Sequence, residues 1–426
     1  MSRHTALVSA EIAFVLLTLA TCATAGDTYK VLHLFNGNDG ANPEAGLIFD
    51  AFGNLYGTTA WGGAGGGEGT IFQLDLDPNG RWIEHVLYRF CQTGTCADGA
   101  RPTGGLIFDS AGSLYGTTQV GGSAGQGTVF QLKRGSNGKW TEQVLYSFCQ
   151  TDGCADGASP NAPLVFDEAG DLYGTTTGGG EYGAGTVFQL ASDDGGNWRE
   201  HVLYSFCALP GCADGEYPQA GVIIDNYGNL YGTTPYGGWD GGEACPNGGG
   251  TCGTVFELVR HESGKWREQV LHSFHHYDGA QPDTGLVFDG SGTLFGTTYW
   301  GGVYGSGVIF QLIPRADGVW METVVHQFDT LVHPSGTPVF DVAGNLYGTV
   351  ENTTSYEGAV FELSPGQDGA WTLAVLHAFS RNGARGADPQ AGVILDPGGN
   401  VYGTTFTGGL CCGPYNGNGL VFEITP

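Results

Sequence analysis

Cysteines are the residues of this chain whose spacing says most about chemistry. Ten of the eleven stand in neighbouring pairs, and three of these pairs lie in Cys-x4-Cys loops. A zinc site needs ligands that converge on one point, whereas each loop supplies only two. In a chain with an export signal, as argued below, such pairs favour disulfide bonds. The predicted bonds join Cys91 to Cys96, Cys149 to Cys154, Cys207 to Cys212, Cys245 to Cys252 and Cys411 to Cys412.

A run of ligand-type side chains, His275-His276-Tyr277-Asp278, stands where a cysteine loop would otherwise follow. Imidazole and carboxylate groups bind transition metals, so His275, His276 and Asp278 are candidate metal ligands; a loop that bonds only to itself is the alternative. An Asp also recurs seven times before x-x-Gly. Calcium ligation is one interpretation of it, but turn chemistry explains it better. The sequence predicts no cofactor and leaves calcium or another divalent metal open.

These residues are set on a repeated unit, whose stem Leu-Tyr-Gly-Thr or a close variant occurs seven times, about every 52 to 64 residues. The unit reads GLIFD, turn, NLYGTT, Gly-rich loop, GTVFQL, turn, WxExVLYSF, which is the pattern of four short strands, A to D. Seven such meanders predict an all-β, seven-bladed β-propeller with four antiparallel strands in each blade. The last copy lacks strand D, and residues 29–35 (YKVLHLF) match it. We therefore expect the N-terminal strand to complete the last blade and close the ring.

Strand D carries two recurring polar features. One is an aromatic position, which is Tyr in three copies and His in four; the other is a Trp-x-Glu pair near the start of the strand. Histidines placed one per blade at the rim do not converge, and their exchange with Tyr indicates half-buried structural rings. The glutamates are expected to protect the outer edge of each blade.

The loops between strands B and C and between D and A emerge on one face of such a propeller, and they differ most between copies. Trp and Tyr side chains beside acidic residues in these loops can stack on sugar rings and bond their hydroxyls. The alternative is that each aromatic ring only holds its own loop in place. The candidate ligand-binding residues are Trp61, Tyr236, Trp239, Tyr299, Trp300 and Tyr304.

The N-terminus has the pattern of a signal peptide over residues 1–25, with an apolar run followed by Ala-Thr-Ala. No linker divides the remainder, so we expect a single propeller domain over 26–426 without a transmembrane segment, located outside the cell, in the periplasm or in the envelope. The net charge of -28 makes nucleic acid an unfavourable partner. Gly is the commonest residue, with 77 copies, which suits short strands joined by tight turns. We expect a monomer.

The segment LYGTTQVGGSAGQGTVFQL at 114–132 resembles the GloVer (Gloeo/Verruco) tandem-repeat family of exported bacterial proteins. Strand A, its turn and strand B are also similar to the opening of an NHL-type propeller blade. Neither resemblance supplies a catalytic residue. The predicted function is a non-catalytic binding or scaffold module for a glycan or protein partner. The alternative is a propeller enzyme, a metal-assisted lyase or hydrolase, with its site at the mouth of the central channel.

Overall fold

The computed structural model describes residues 28–64, 67–92, 94–193, 195–238, 245, 251–261, 264–329, 332–351, 358–367, 369–379, 385–409 and 417–426. Seven antiparallel sheets stand around a central channel, so the predicted seven-bladed β-propeller is confirmed. Strand A lines the channel and strand D lies at the rim. The described part of the chain contains no helix long and apolar enough to cross a membrane. The predicted signal peptide lies outside the described residues.

The four strands keep the same length from blade to blade, apart from a longer strand B in blade 6 and a shorter strand C and strand D in blade 7. Strand A is Ile48–Phe49, Ile107–Phe108, Val165–Phe166, Ile223–Ile224, Val287–Phe288, Val339–Phe340 and Ile394–Leu395. Strand B is Leu55–Thr59, Leu114–Thr118, Leu172–Thr176, Leu230–Thr234, Leu294–Thr298, Leu346–Glu351 and Val401–Thr405. Strand C is Thr70–Leu76, Thr128–Arg134, Thr186–Ser192, Thr254–Arg260, Val308–Pro314, Ala359–Pro365 and Leu420–Thr425. Strand D is Trp82–Arg89, Trp140–Ser147, Trp198–Ser205, Trp266–Ser273, Trp320–Gln327, Trp371–Ala378 and, for blade 7, Thr28–Leu34.

Among the described residues, three short elements lie outside this pattern. His333–Pro334 pairs with the end of strand B in blade 6, and two 3-10 turns, Asp152–Cys154 and Pro210–Cys212, lie in cysteine loops.

The Leu-Tyr-Gly-Thr stem forms strand B, which is buried along its whole length in every blade except at Glu351, the half-buried last residue of strand B in blade 6. Its Gly faces a buried Phe of strand C: a Cβ added to Gly57 would lie 2.6 Å from Cζ of Phe72. Only Gly leaves room for that ring, which packs in the core between adjacent sheets. The stem is therefore a packing motif.

The recurring Asp after strand A forms the predicted turn. In blade 1, Oδ1 of Asp50 accepts hydrogen bonds from the backbone amides of Phe52 and Asn54, at 2.8 and 2.9 Å. Oδ2 accepts the hydroxyl of Tyr56, at 3.2 Å, which ties the turn to strand B. The same pair of amide bonds forms in the other blades at Asp109, Asp167, Asp225, Asp289, Asp341 and Asp396.

The N-terminal strand closes the ring as predicted. Thr28–Leu34 runs antiparallel to Leu420–Thr425, with Thr28 opposite Thr425. The Tyr29 ring stacks on His377 of blade 6 at a centroid distance of 3.9 Å. The first and the last described strands thus lie side by side in one blade.

Candidate functional site

The connection from strand D to the next strand A turns inward at an x-Pro step, which brings one polar side chain per blade to the channel. These residues, each directly after the Pro, line a cavity of about 500 Å³. Beneath them the wall is built from apolar residues of strand A, such as Ile48 and Ile223. The polar ring consists of Glu44, Thr103, Asn161, Gln219, Asp283, Ser335 and Gln390.

Asp283 is the most unusual member of this ring, because the oxygen that is buried without a hydrogen-bond partner, Oδ1, belongs to a carboxyl group; Oγ1 of Thr103 is also buried without a partner. Burial raises the pKa of Asp283 to about 7, and the nearby carboxyl of Glu351 adds to the rise. Glu351 accepts a hydrogen bond from the hydroxyl of Tyr299, at 2.8 Å. Burial also raises the pKa of Glu351. Two carboxyls that disfavour each other's ionisation therefore lie beside the channel.

An aromatic cluster stands beside this carboxyl pair. The ring of Tyr299 stacks on His333 at 4.4 Å, and Trp300 meets His333 edge-on at 4.2 Å. Nδ1 of His333 lies 2.9 Å from the backbone oxygen of Tyr299. Burial lowers the pKa of His333, so the ring is neutral near pH 7. The cluster joins blade 5 to the loop that enters blade 6.

The predicted aromatic residues are spread over three blades. Trp61 lies beneath the guanidinium of Arg101, 4.0 Å from the ring centroid. Tyr236 meets Tyr217 edge-on. Tyr304 is exposed, while Tyr299 and Trp300 contact each other. Trp239 lies outside the described residues.

Of the three predicted metal ligands, the structure brings two together. Oδ1 of Asp278 accepts the backbone amide of His275, and Oδ2 lies 3.6 Å from Nδ1 of the same histidine. The ring of His276 instead meets Tyr277 edge-on, at 5.3 Å. None of these four residues is among those that line the channel cavity, where the enzyme hypothesis would have used His275 or His276.

Four of the five predicted disulfides are formed, and Cys411 and Cys412 lie outside the described residues. The bonds are Cys91–Cys96, Cys149–Cys154, Cys207–Cys212 and Cys245–Cys252. In the first loop, the backbone amide of Cys91 donates to Oδ2 of Asp98, at 3.0 Å. The first three disulfides thus close the loops that hold an Asp at the boundary between blades.

At these boundaries the structure corrects the expectation for the Trp-x-Glu glutamates. Glu200 of blade 3 has its Oε1 buried and without a partner, close to Asp156 of the preceding loop. Tyr146 of blade 2 donates to Oδ2 of that Asp, at 2.8 Å. The glutamates therefore form polar clusters between blades, because strand D of one blade faces the loop that leaves the blade before it. Equivalent clusters are Tyr88–Asp98–Glu142 and Tyr204–Asp214–Glu268.

Replacing the carboxyl of Glu200 by an amide should stabilise the protein at alkaline pH. Burial, with a contribution from Asp156, raises the pKa of Glu200 to about 8, well above its ordinary value. The folded state therefore holds this proton more tightly than the unfolded chain does, and stability falls as the pH rises from about 4.5 to 8. We expect Glu200→Gln to raise the free energy of unfolding at pH 8 by about 1 kcal/mol, discounted for partial exposure, with no gain at pH 4.5.

Chemical denaturation at the two pH values measures this effect. Glu168→Gln, in an exposed turn of the same blade, is the matched control and should change neither value. An equal gain at both pH values for Glu200→Gln would contradict the titration argument.

Sequence reasoning missed Asp283, Glu351, His333 and the rest of the polar ring. A signal was present: the residue after the Pro varies between the copies, although its neighbours repeat. The sequence did not show that the residue after the Pro faces the channel, because this depends on the inward turn of the loop.

The sequence matches the model of the Gloeobacter/Verrucomicrobia repeat three times, at residues 18–155, 85–244 and 242–426. Among curated proteins, none matches the chain.

Solved structures with a similar chain path include PorZ, a surface component of the type-IX secretion system of Porphyromonas gingivalis. It is 14% identical, with a TM-score of 0.49, over 88% of this chain and 46% of that one. An oxidoreductase (glucose dehydrogenase) from Thermus thermophilus is 14% identical, with a TM-score of 0.43, over 94% and 100%. A gluconolactonase from Xanthomonas campestris is 16% identical, with a TM-score of 0.41, over 77% and 87%. Similarity at this level says nothing about what the present chain binds.

Proposed function

The chain belongs to the Gloeobacter/Verrucomicrobia repeat family, and we propose that it is an exported binding module that takes a sugar residue of a glycan into the mouth of its central channel. The observation that carries the proposal is Asp283, whose Oδ1 is buried without a partner at the channel wall. An unpaired buried acceptor costs about 1–3 kcal/mol. A ligand hydroxyl would supply the missing donor. Export itself rests on the predicted signal peptide.

The shape of the site favours a small polar group over a flat protein surface. A concave cavity of about 500 Å³ is in the size range of small-molecule sites. Its mouth offers amide, hydroxyl and carboxyl groups from seven directions, which suits the several hydroxyls of one sugar ring. A protein partner would instead need a broad interface of standard size.

The charge of the mouth narrows the class of sugar. Glu44 and Asp283 line the cavity, Glu351 adjoins Asp283, and Asp388 adjoins Glu351. Acidic sugars would be repelled by this group of carboxyls, whereas neutral and amino sugars would not. Tyr299 and Trp300 form an apolar edge beside it. We therefore assign a neutral or amino sugar to the site.

A second candidate function is hydrolysis at the same place. Asp283 and Glu351 are two neighbouring carboxyls, and the pKa of Asp283 is raised to about 7 by burial. A proton donor of that pKa beside a second carboxyl is the arrangement used for general acid–base catalysis. Release of a reducing sugar from the bound glycan would favour this function over simple binding.

The variant Asp283→Asn should lose glycan binding and gain stability. An amide keeps the shape but loses the negative charge and replaces one of the two acceptor oxygens by an N–H donor, so the bond to the sugar hydroxyl weakens, while the cost of a buried carboxyl disappears. We expect binding of neutral or amino sugars on a glycan array to fall at least 10-fold and the unfolding midpoint to rise. Calorimetric titration with the best array ligand would measure the change in Kd.

Tyr227→Ala is the matched control, because Tyr227 is 89% exposed on a turn of the opposite face. It should leave binding unchanged. Equal binding by Asp283→Asn and the unmodified chain would exclude this site, and equal loss in both variants would point to a different face. Binding confined to acidic sugars would contradict the charge argument.

A further inference from the structure

The boundary between blades 4 and 5 brings three metal-ligating side chains together and places a fourth beside one of them. His272 of strand D, Asp278 of the following loop and Glu322 of the next strand D offer ligand atoms that all lie within 4.8 Å of one another. His275 adds a fourth, with Nδ1 3.6 Å from Oδ2 of Asp278. We propose that these four residues bind one Zn²⁺ or a similar transition-metal ion.

The distances around Asp278 suit such an ion. Its Oδ1 is occupied by the backbone amide of His275, so Oδ2 is the oxygen that faces the two imidazoles. Nε2 of His272 lies 3.2 Å from Oδ2, and Nδ1 of His275 lies 3.6 Å from it. Ligand atoms around tetrahedral Zn²⁺ are separated by about 3.3 Å, given bonds of about 2.0–2.1 Å. The separations of Oδ2 from the two imidazole nitrogens are therefore those of atoms that share one ion.

Glu322 completes the set from the neighbouring blade. Its Oε1 is buried without a hydrogen-bond partner. A carboxylate oxygen of Glu322 lies within 4.8 Å of one of Asp278, so the two carboxylates face each other across the boundary. A dication between the two carboxylates removes their repulsion and gives the buried oxygen a partner. The mixed imidazole and carboxylate set is one that Zn²⁺ accepts.

The chain carries its own comparison for this site. At the three preceding boundaries a Tyr replaces the His; Tyr204, for example, donates to Oδ2 of Asp214, at 2.8 Å. There a disulfide loop follows the strand, and Cys207 stands where His275 stands in the next copy. The presence of His272 in place of the Tyr of the preceding copies thus coincides with loss of the disulfide loop and gain of a second imidazole. An imidazole at position 272 that only packed between the blades would not need a second imidazole in the following loop.

Two other groupings among the described residues are less suited to a metal. His33, Asp39 and Glu84 form the equivalent cluster between blades 7 and 1, but Asn36 takes the place of His275 and its side-chain amide donates to Oδ2 of Asp39. The third grouping contains Cys207 and Cys212, which are joined in a disulfide.

Titration of Zn²⁺ into the untagged, EDTA-treated full-length chain tests the proposal. We expect one Zn²⁺ per chain by calorimetry and by elemental analysis after dialysis, and a higher unfolding midpoint in its presence. His272→Tyr recreates the bond of the preceding boundaries, so the variant should fold normally and bind Zn²⁺ at least 100-fold more weakly. Glu322→Gln should weaken binding at least 10-fold.

Two histidine variants serve as controls. His85→Ala removes an exposed imidazole that also lies 2.9 Å from a carboxylate, and His33→Tyr removes the equivalent cluster. Both should keep the one-to-one binding. Absence of stoichiometric Zn²⁺ in the unmodified chain, unchanged affinity in His272→Tyr, or loss of binding in His33→Tyr would each overturn the assignment.

Discussion

Removal of residues 28–35 is expected to abolish folding of the whole ring. This segment supplies strand D of blade 7 and pairs with Leu420–Thr425 at six positions. It also buries Leu32 and Phe35, each of which contributes about 1.5–3 kcal/mol. Domains of ordinary stability have only about 5–15 kcal/mol in total. The truncated chain would in addition expose a free strand edge, so we expect it to be insoluble or aggregated.

A circularly permuted chain shows whether folding requires the strand itself or its position before blade 1 in the sequence. In the other blades five residues connect strands C and D, as at 77–81 in blade 1. Joining Thr425 to Thr28 through a copy of that turn, with the new N-terminus after residue 35, should restore a soluble, cooperatively unfolding protein. Size-exclusion chromatography and thermal unfolding compare the two. A truncated chain that stays monomeric and folded would show that the ring does not need its closing strand.

The architecture could be predicted because it depends on short-range patterns. Each of the patterns used involves only a few neighbouring positions: the period of the unit, the Asp-x-x-Gly turns and the alternation of residue types along the strands. These patterns occur in all seven copies. The closing strand was predictable for the same reason, since residues 29–35 match a sequence present in the other copies. Strand A is shorter than its apolar run indicates: in blade 1 it covers only Ile48–Phe49, because Asp50 already begins the turn to strand B.

The sites depend on distances that no local pattern encodes. Glu322 stands fifty residues after His272, and the two meet only because strand D of one blade packs against the loop leaving the previous blade. Asp283 and Glu351 likewise come from different blades. The aromatic candidates were chosen by residue type, yet the ring of Tyr299 is engaged by His333 and Glu351, and that of Trp61 by Arg101. The positions at which the copies differ could be located in the sequence, but the residues that contact those positions could not.

Gly232→Ala is expected to destabilise the protein by about 3 kcal/mol, the upper end of the usual cost of overpacking a core. The added Cβ would lie 2.5 Å from Cζ of Phe256 and 2.9 Å from Cε1 of the same ring. Phe256 is wholly buried between blades 3 and 4, so the ring has no free space to enter. Chemical denaturation measures the loss. Gly290→Ala, at a position where nothing lies within 4 Å, should change stability by less than about 0.5 kcal/mol.

A double variant separates this clash from any general effect of Ala in a strand. Phe256→Leu alone shortens the ring and leaves a cavity, so it should destabilise the chain. When position 232 is Ala, the same change relieves the clash. The double variant should therefore lose clearly less stability than the sum of the losses in the two single variants. A coupling energy of about 1 kcal/mol or more between the two substitutions would show that Gly is required because of its contact with Phe256. Strict additivity would instead mean that strand B selects Gly for its backbone, and the packing account of the repeated stem would then be wrong.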